Sequence, residues 1–339
     1  MAISYTPTDI RGKAVEPILE EVFFANKTIS RGYVTFNDNI KAGTIFTEAG
    51  IDVTAQLYTG SALSSSGSIV MTDVYIVPTK LEYKQTFLEE SLRVSRFNRD
   101  MANGAWNIES NEFLSLVMSL HGKAVSEDAE RQYWMGITAA QKAAIAASTP
   151  GAGQGSITAA AQTKVAALTA GAVNGVLAKV IYNIDATAIG AYIKVTGTTI
   201  TSANIAAEYG KTYTAIPAEI MADTSSPVMF YAPYAHRQLI KIANNAVGAA
   251  QQVNFLVEGA GDSEKVYYNG VEIAFVPLPA DFIYAQRPAA LSWNTDLVDD
   301  VARVEVGKMQ NDGDLKFLRA IYTLNANVGQ ASKGVLYGG

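Results

Sequence analysis

Two runs rich in β-branched residues, GTIFTE with IDVTAQLY (43–58) and SIVMTDVYIVP (68–78), flank the small-residue stretch TGSALSSSGS (59–68). Alternating apolar runs on either side of such a tip read as a long projecting β-ribbon. Two strands bury too little to be stable alone in water. A chain that commits so much of its length to a ribbon must lay it on something, and that requirement limits every fold open to this sequence.

Around the ribbon the patterning alternates between helix and strand. Ahead of it lies a polar arm with one short helical stretch, VEPILEEVFFANKT (15–28), in which Pro17 stands near the start, where a missing N–H is harmless. GYVTFND (32–38) then reads as a strand. The longest helical pattern, 111–135, carries Phe113, Val117, Leu120 and Ala124 on one stripe, extended by Val125, Ala129 and Tyr133. It would span roughly 38 Å, with a bend allowed at Gly122, since Gly weakens a helix by about 1 kcal/mol relative to Ala. Residues 138–180 are alanine-rich. AAQKAAIAA (139–147) and AAAQTKVAALTAGAVNGVLAKV (159–180) read as helices of small residues joined by the flexible break STPGAGQGSIT (148–158).

A denser α/β stretch follows. AYIKVTG (191–197) is a strand, SANIAAEYGKTYTAI (202–216) a helix stopped by Pro217, and SPVMFYA (226–232) a continuously apolar strand. Pro233 opens the helix PYAHRQLIKIANNAVG (233–248). In VYYNGVEIAFVPLP (266–279), Asn269-Gly270 is a type I′ hairpin signal, because both turn positions need φ > 0. Val266, Tyr268, Val271, Ile273 and Phe275 share the face expected to pack inward, leaving Tyr267 and Glu272 on the other. DFIYAQR (281–287) and AALSW (289–293) follow, and a second hairpin turns at Asn311-Asp312-Gly313 within 301–329. The expected fold class is α+β, with no fixed-period internal repeat.

Composition closes off several functions. The 339 residues are 49% hydrophobic and 17% charged, below the roughly one-quarter charged share usual for soluble proteins. Either a large core or surfaces buried against other chains accounts for that. Net charge is −6, and no run of three Lys or Arg occurs, so gripping nucleic acid through its phosphates is not the expected role. A mildly acidic surface does suit lying beside nucleic acid without adhering to it. With no cysteine, disulfides, thiolate metal sites and thiol nucleophiles are excluded. The N-terminal stretch has no apolar signal segment, and the longest apolar run, between Lys164 and Lys179, is too short to span a bilayer. The expectation is an intracellular product away from membranes.

Catalytic chemistry is hard to assemble from these residues. His121 and His236 belong to no paired-histidine motif, and both read as structural or surface residues. There is no nucleophile elbow. Glu89-Glu90, Glu127-Asp128 and Asp299-Asp300 read as solvated faces. Asp312-Gly313-Asp314 lacks the spacing of a calcium loop, and Gly151-Ala152-Gly153-Gln154-Gly155 lacks the strand and Gly-Lys-Ser/Thr of a phosphate loop. No catalytic, cofactor-binding or metal residue is expected, and the chain is read as no enzyme. Tyrosine is abundant, 17 against 12 phenylalanines, and suits surfaces apolar at one end and wet at the other, although core tyrosine explains it equally.

The order of these elements resembles the major capsid protein of tailed bacteriophages, the Hong Kong 97-type fold. The local resemblance rests on TAIPAEI (214–220), SPVMFYAPYAHRQLIK (226–241), YYNGVEIAFVPLP (267–279) and ALSWNTDLVDD (290–300). It covers nearly the whole chain in architecture and about a third in motif. The resemblance implies an N-terminal arm over 1–35 and an extended β-ribbon loop over 36–82. A peripheral domain with the spine helix and an Ala-rich insertion would cover 83–180, an axial domain 181–300, and C-terminal strands returning to both over 301–339. It further implies self-assembly through hexamers and pentamers into an icosahedral head around double-stranded DNA, the virion capsid, built in the host bacterial cytoplasm. A portal and decoration proteins would be partners, DNA would be met only by non-specific proximity, and no membrane would be involved. The arm carries no long charged helical leader, so the scaffolding protein is expected to be separate. Subunit-contact candidates are Ser61, Leu63 and Ser66 at the ribbon tip, Tyr75 on the ribbon, and Tyr267 and Glu272 on the hairpin. An encapsulin-like nanocompartment shell, a soluble α/β enzyme built on His236 or the Gly-rich break, and a tail or surface adhesin stay open as alternatives.

Overall fold

The computed structural model describes residues 8–11, 26–41, 44–53, 67–88, 111–147, 159–182, 192–246, 255–259, 264–296, 303–309, 312–330 and 333–338. In chain order, the first half contains β1 (Thr8–Arg11), α1 (Lys27–Ser30), β2 (Thr35–Asn37), β3 (Thr44–Val53), β4 (Gly67–Ile76), β5 (Thr79–Leu88), α2 (Asn111–Met135), α3 (Ala139–Ala147), α4 (Ala159–Ala167) and α5 (Val176–Tyr182). The second half contains β6 (Ile193–Thr196), α6 (Ile205–Ala215), α7 (Ala218–Ala222), β7 (Met229–Pro233), α8 (Tyr234–Ala246), β8 (Phe255–Glu258), β9 (Lys265–Tyr268) and β10 (Val271–Val276). It closes with β11 (Phe282–Gln286), β12 (Leu291–Asn294), β13 (Arg303–Met309), β14 (Asp312–Val328) and β15 (Val335–Gly338).

Three sheets organise these elements. β14 is the axle of the first: β13 and β5 pair with its two edges and β12 with its final four residues, while β1 lies outside β13 and β2 outside β12. The second runs β6-β15-β11-β7-β10-β9-β8. The third is the ribbon, in which β3 and β4 pair from Thr44↔Ile76 to Val53↔Gly67 and, among the described residues, with no other strand. GTIFTE and the start of IDVTAQLY thus form one continuous strand.

Alternation along the second sheet divides the core in two. Met229, Tyr231, Ala274, Val276, Phe282 and Tyr284 point to one side, into a core shared with α2 to α5 and the first sheet. Phe230, Ala232, Val271, Ile273, Ile283 and Ala285 point to the other, toward Ile205 and Tyr209 of α6 and Ile240 of α8. A sheet covered on both faces needs strands apolar throughout, and β7 and β11 are buried along their whole length. The hairpin lies inside this sheet. Asn269 (φ 49°) and Gly270 (φ 82°) make its turn, and β10 also pairs in parallel with β7. Val266, Tyr268, Val271 and Ile273 are buried on the side of α6 and α8, with Phe275 packed against them, as the alternation predicts.

The structure departs from the sequence pattern in several places. The pattern does not predict β5: its charged residues Lys80, Glu82 and Lys84 face outward and mask the period-two pair Leu81 and Tyr83, which pack inward. Ten residues of β14 pair with it. The stretch 159–180 is not one helix but two, interrupted at 168–175. There Gly171 N–H donates to the Ile137 carbonyl (2.7 Å) and Gly175 N–H to the Gly136 carbonyl (2.8 Å), clamping the chain to the end of α2. A Cβ on Gly175 would lie 2.4 Å from the Tyr133 carbonyl oxygen, so the small residues there serve close backbone approach. Part of the expected arm helix, 15–25, lies outside the described residues. Asn26 instead caps the start of α1, its side chain accepting from Thr28 N–H at 2.8 Å. α2 runs unbroken through Gly122.

Gly175→Ala forces that carbonyl to move. Chemical unfolding should show a loss of about 1–3 kcal/mol, with an unchanged value overturning the clamp.

Candidate functional site

The residues with chemical potential are drawn into the core. His236, on the first turn of α8, is 1% exposed, and its Nδ1 lies 3.2 Å from the Tyr209 hydroxyl of α6. Burial pulls its pKa down from 6.5 to about 4, against the opposing pull of the Asp281 carboxylate. Tyr209 in turn meets Phe230 and Phe255 edge-on, at 5.5 and 5.4 Å between ring centroids. His121 stands edge-on to Tyr83 at 5.9 Å, far along the chain from His236. Neither histidine has company for metal chemistry: among the described residues, no group of three His, Cys, Asp or Glu could hold an ion.

Buried carboxylates are also committed. Burial alone would raise the Glu208 carboxyl, but hydrogen bonds from Lys211 (2.8 Å) and the Tyr337 hydroxyl (2.8 Å) outweigh it and hold the group below its ordinary value. Asp281 accepts from Ile200 N–H (2.7 Å) and pairs with Lys164 of α4 (3.0 Å). Arg237 and Lys241 of α8 converge on Glu264 at 2.7 and 3.0 Å, and the Arg237 hydrogen bond leads in drawing its carboxyl down to about 2. Glu127 and Asp128 sit on the solvated side of α2, paired with Lys123 and Arg131. Glu89, Glu90, Asp299, Asp300 and the glycine-rich break 151–155 lie outside the described residues. These arrangements tie elements together. Among the described residues, no helix is long and apolar enough to cross a membrane.

Exposed apolar groups lie elsewhere. On the ribbon, Ile45 (48% exposed) stands opposite Tyr75 (66%), and Met71 (69%) lies two pleats along the same face. Isolated surface apolar residues are ordinary, but three large ones on one face of a two-stranded ribbon make a patch. Tyr234 and Ile242 of α8 and Leu256 and Val257 of the edge strand β8 are exposed as well.

Of the six contact candidates, Ser61, Leu63 and Ser66 lie outside the described residues. Tyr75 is on the ribbon patch, and the alternation of β3 and β4 is signal enough to add Ile45 and Met71. Tyr267 is half-buried on β9, opposite Glu272 of β10, and the Glu272 carboxylate pairs with Lys265 at 3.3 Å. That face is therefore partly satisfied within the chain. The tyrosines divide in the same manner: Tyr133, Tyr209, Tyr231, Tyr284 and Tyr337 are buried in the two cores, while Tyr75 and Tyr234 are exposed.

No protein-family model matches the chain, and no curated protein matches it in sequence. Solved structures do match it in shape. A chain of the satellite phage P4 procapsid is similar at a TM-score of 0.53 and 13% identity, over 96% of this chain and 98% of the other. The capsid of a native GTA particle is similar at 0.54 and 12%, over 99% and 95%. The capsid of Myoviridae phage XM1 is similar at 0.51 and 11%, over 92% and 91%. Likeness at such identity is likeness of fold, and it runs the length of the chain: the architecture is the α+β capsid fold of tailed phages.

The His236 ring sets a pH dependence. Its folded pKa is depressed, so full stability is present above pH 6.5 and is lost as pH falls toward about 4, by up to roughly 3 kcal/mol. His236→Gln keeps a partner for Tyr209 and should flatten that fall in chemical unfolding followed from about pH 7 to 4. Equal slopes in the two proteins would refute this assignment.

Proposed function

We propose that this chain is the major capsid protein of a tailed bacteriophage, a self-assembling subunit of an icosahedral head that encloses double-stranded DNA. The role is mechanical rather than enzymatic. The capsid fold supports this reading, and the ribbon carries it: among the described residues β3 and β4 pair only with each other, and they expose Ile45, Met71 and Tyr75 on one face. A two-stranded ribbon in water is marginal, and a second subunit beneath that face supplies the apolar cover. Repeated around a closed particle, one such clasp per subunit gives many weak contacts the avidity of a shell.

On this reading the domain boundaries are those that the resemblance implies. The arm covers 1–35, the ribbon loop 36–82, the peripheral domain 83–180, the axial domain 181–300 and the returning strands 301–339. Ser61, Leu63 and Ser66 at the tip, with Tyr75, lie over a neighbour, and Tyr267 and Glu272 border one. Subunits form hexamers and pentamers with a separate scaffolding protein, a portal and decoration proteins, and the finished protein resides in the virion capsid. The acidic net charge of −6 suits a wall that DNA approaches without binding.

Negative-stain microscopy of the chain, produced alone and with the products of its neighbouring genes, should show closed shells. Monomers, rings or tubes under all those conditions would refute the reading, and shells filled by a protein cargo instead of DNA would mark an encapsulin-like compartment. Ile45→Asp, Met71→Asp and Tyr75→Asp combined should leave Tm nearly unchanged, since exposed substitutions shift stability by only about 0.5 kcal/mol, while abolishing the shells.

A further inference from the structure

Asparagine followed by glycine is a labile pair in any polypeptide. The glycine nitrogen can attack the asparagine side-chain amide, and glycine, lacking Cβ, hinders that approach least. The pair occurs at Asn103-Gly104, Asn174-Gly175 and Asn269-Gly270. The first lies outside the described residues. The other two share the tripeptide Asn-Gly-Val, and the fold treats them in opposite ways.

At Asn174-Gly175 both reacting groups are committed. The Asn174 Oδ1 accepts from Thr138 N–H at 2.9 Å, and Gly175 N–H donates to the Gly136 carbonyl at 2.8 Å. Gly175 is buried, and a Cβ placed on it would lie 2.4 Å from the Tyr133 carbonyl oxygen. Neither group can turn toward the other unless the clamp at the end of α2 opens first.

At Asn269-Gly270 neither group is held. Both residues are exposed in the turn between β9 and β10, at φ 49° and 82°. A Cβ added at Gly270 would meet nothing within 4 Å, so the tip stands in open space. Among the described residues, neither the Asn269 side chain nor the Gly270 N–H has a hydrogen-bond partner. The attack requires Asn269 to leave its left-handed conformation. That opening is confined to the tip, because β8 and β7 hold the outer edges of β9 and β10.

We infer that Asn269 is a site of spontaneous deamidation in the folded protein, and that the fold protects Asn174 from the same reaction. The Gly270 nitrogen bonds to Cγ of Asn269 and gives up its proton, and the side-chain nitrogen leaves as ammonia. The cyclic succinimide so formed takes up water at either carbonyl and opens to aspartate or isoaspartate. Either product adds one negative charge to the net of −6. Aspartate suits the left-handed position as asparagine does. Isoaspartate inserts an extra carbon into the main chain, and a two-residue turn has no slack for it. It therefore loosens the closing pair Tyr268↔Val271 and the Tyr268 side chain, whose hydroxyl donates to the Ala206 carbonyl at 2.9 Å. This chemistry is independent of the shell reading.

Peptide mapping by mass spectrometry tests the assignment on the full chain held at mildly alkaline pH. Aspartate and isoaspartate should accumulate at Asn269 about tenfold or more faster than at Asn174, where the clamp must open first. In urea the two sites should react at similar rates, since the protection belongs to the fold. Asn269→Asp should fold with Tm little changed, and its hairpin peptide should gain no further mass or charge. Folded chain that keeps Asn269 intact while urea-treated chain reacts there would overturn the assignment, as would equal rates at the two sites in the folded chain.

Discussion

An aromatic junction holds the separately built parts of this molecule in one body. Tyr133 and Trp134, adjacent near the end of α2, look in different directions. Tyr133 stacks on Trp293 of the first sheet at 4.6 Å, and Trp134 lies against Tyr231 of the second at 5.0 Å. Two further hydrogen bonds draw the N-terminal segment into the same place. Trp134 Nε1 donates to the Thr28 hydroxyl at 3.0 Å, and the Tyr231 hydroxyl donates to the Tyr33 carbonyl at 2.7 Å. Large rings bury much area, and the hydrogen bonds of Trp134 and Tyr231 fix the orientation of those two, so one turn of helix sets both sheets and the segment around α1 relative to one another. Glu130 takes part from the rim, accepting from the Thr28 hydroxyl, while burial pushes its carboxyl up.

From that junction the architecture separates stiff regions from unsupported ones. The central strands β7 and β11 of the second sheet are covered on both faces, and hydrogen bonds tie buried polar groups together in the Glu208, Tyr337 and Lys211 set and, beside the first sheet, in the Thr295, Thr323 and Asp296 set. Such satisfied networks add orientation to a core without adding chemistry. The ribbon is the opposite case, its backbone paired once and its apolar face uncovered. A stiff body thus carries an appendage whose apolar face is left uncovered among the described residues.

Much of this is legible from residue order. The hairpin at Asn269-Gly270, the ribbon strands, the length of α2 and the continuous apolar strand β7 each follow from short-range pattern, because turn chemistry and side-chain period are local properties. β5 is hidden, since a strand whose outward residues are Lys80, Glu82 and Lys84 looks like a solvated linker until β14 is beside it. The break at 168–175 is hidden for a related reason. Alanine-rich sequence favours helix locally, but Gly171 and Gly175 are held by the carbonyls of Ile137 and Gly136, in the link between α2 and α3. Tyrosine abundance is ambiguous, because the same side chain serves a core and an interface equally well.

Residue order alone settles most of the elements, their α+β class, the absence of thiol chemistry and the presence of a ribbon that needs support. Period and turn type act within a few residues and require no knowledge of the rest. Which surfaces are left over is a matter for the packed fold. Burial depends on contacts between residues distant in the chain, so it took the assembled core to enclose His236 and five of the tyrosines named above. The same packing left Ile45, Met71 and Tyr75 facing outward and put alanines at nearly every exposed position of α3 and α4.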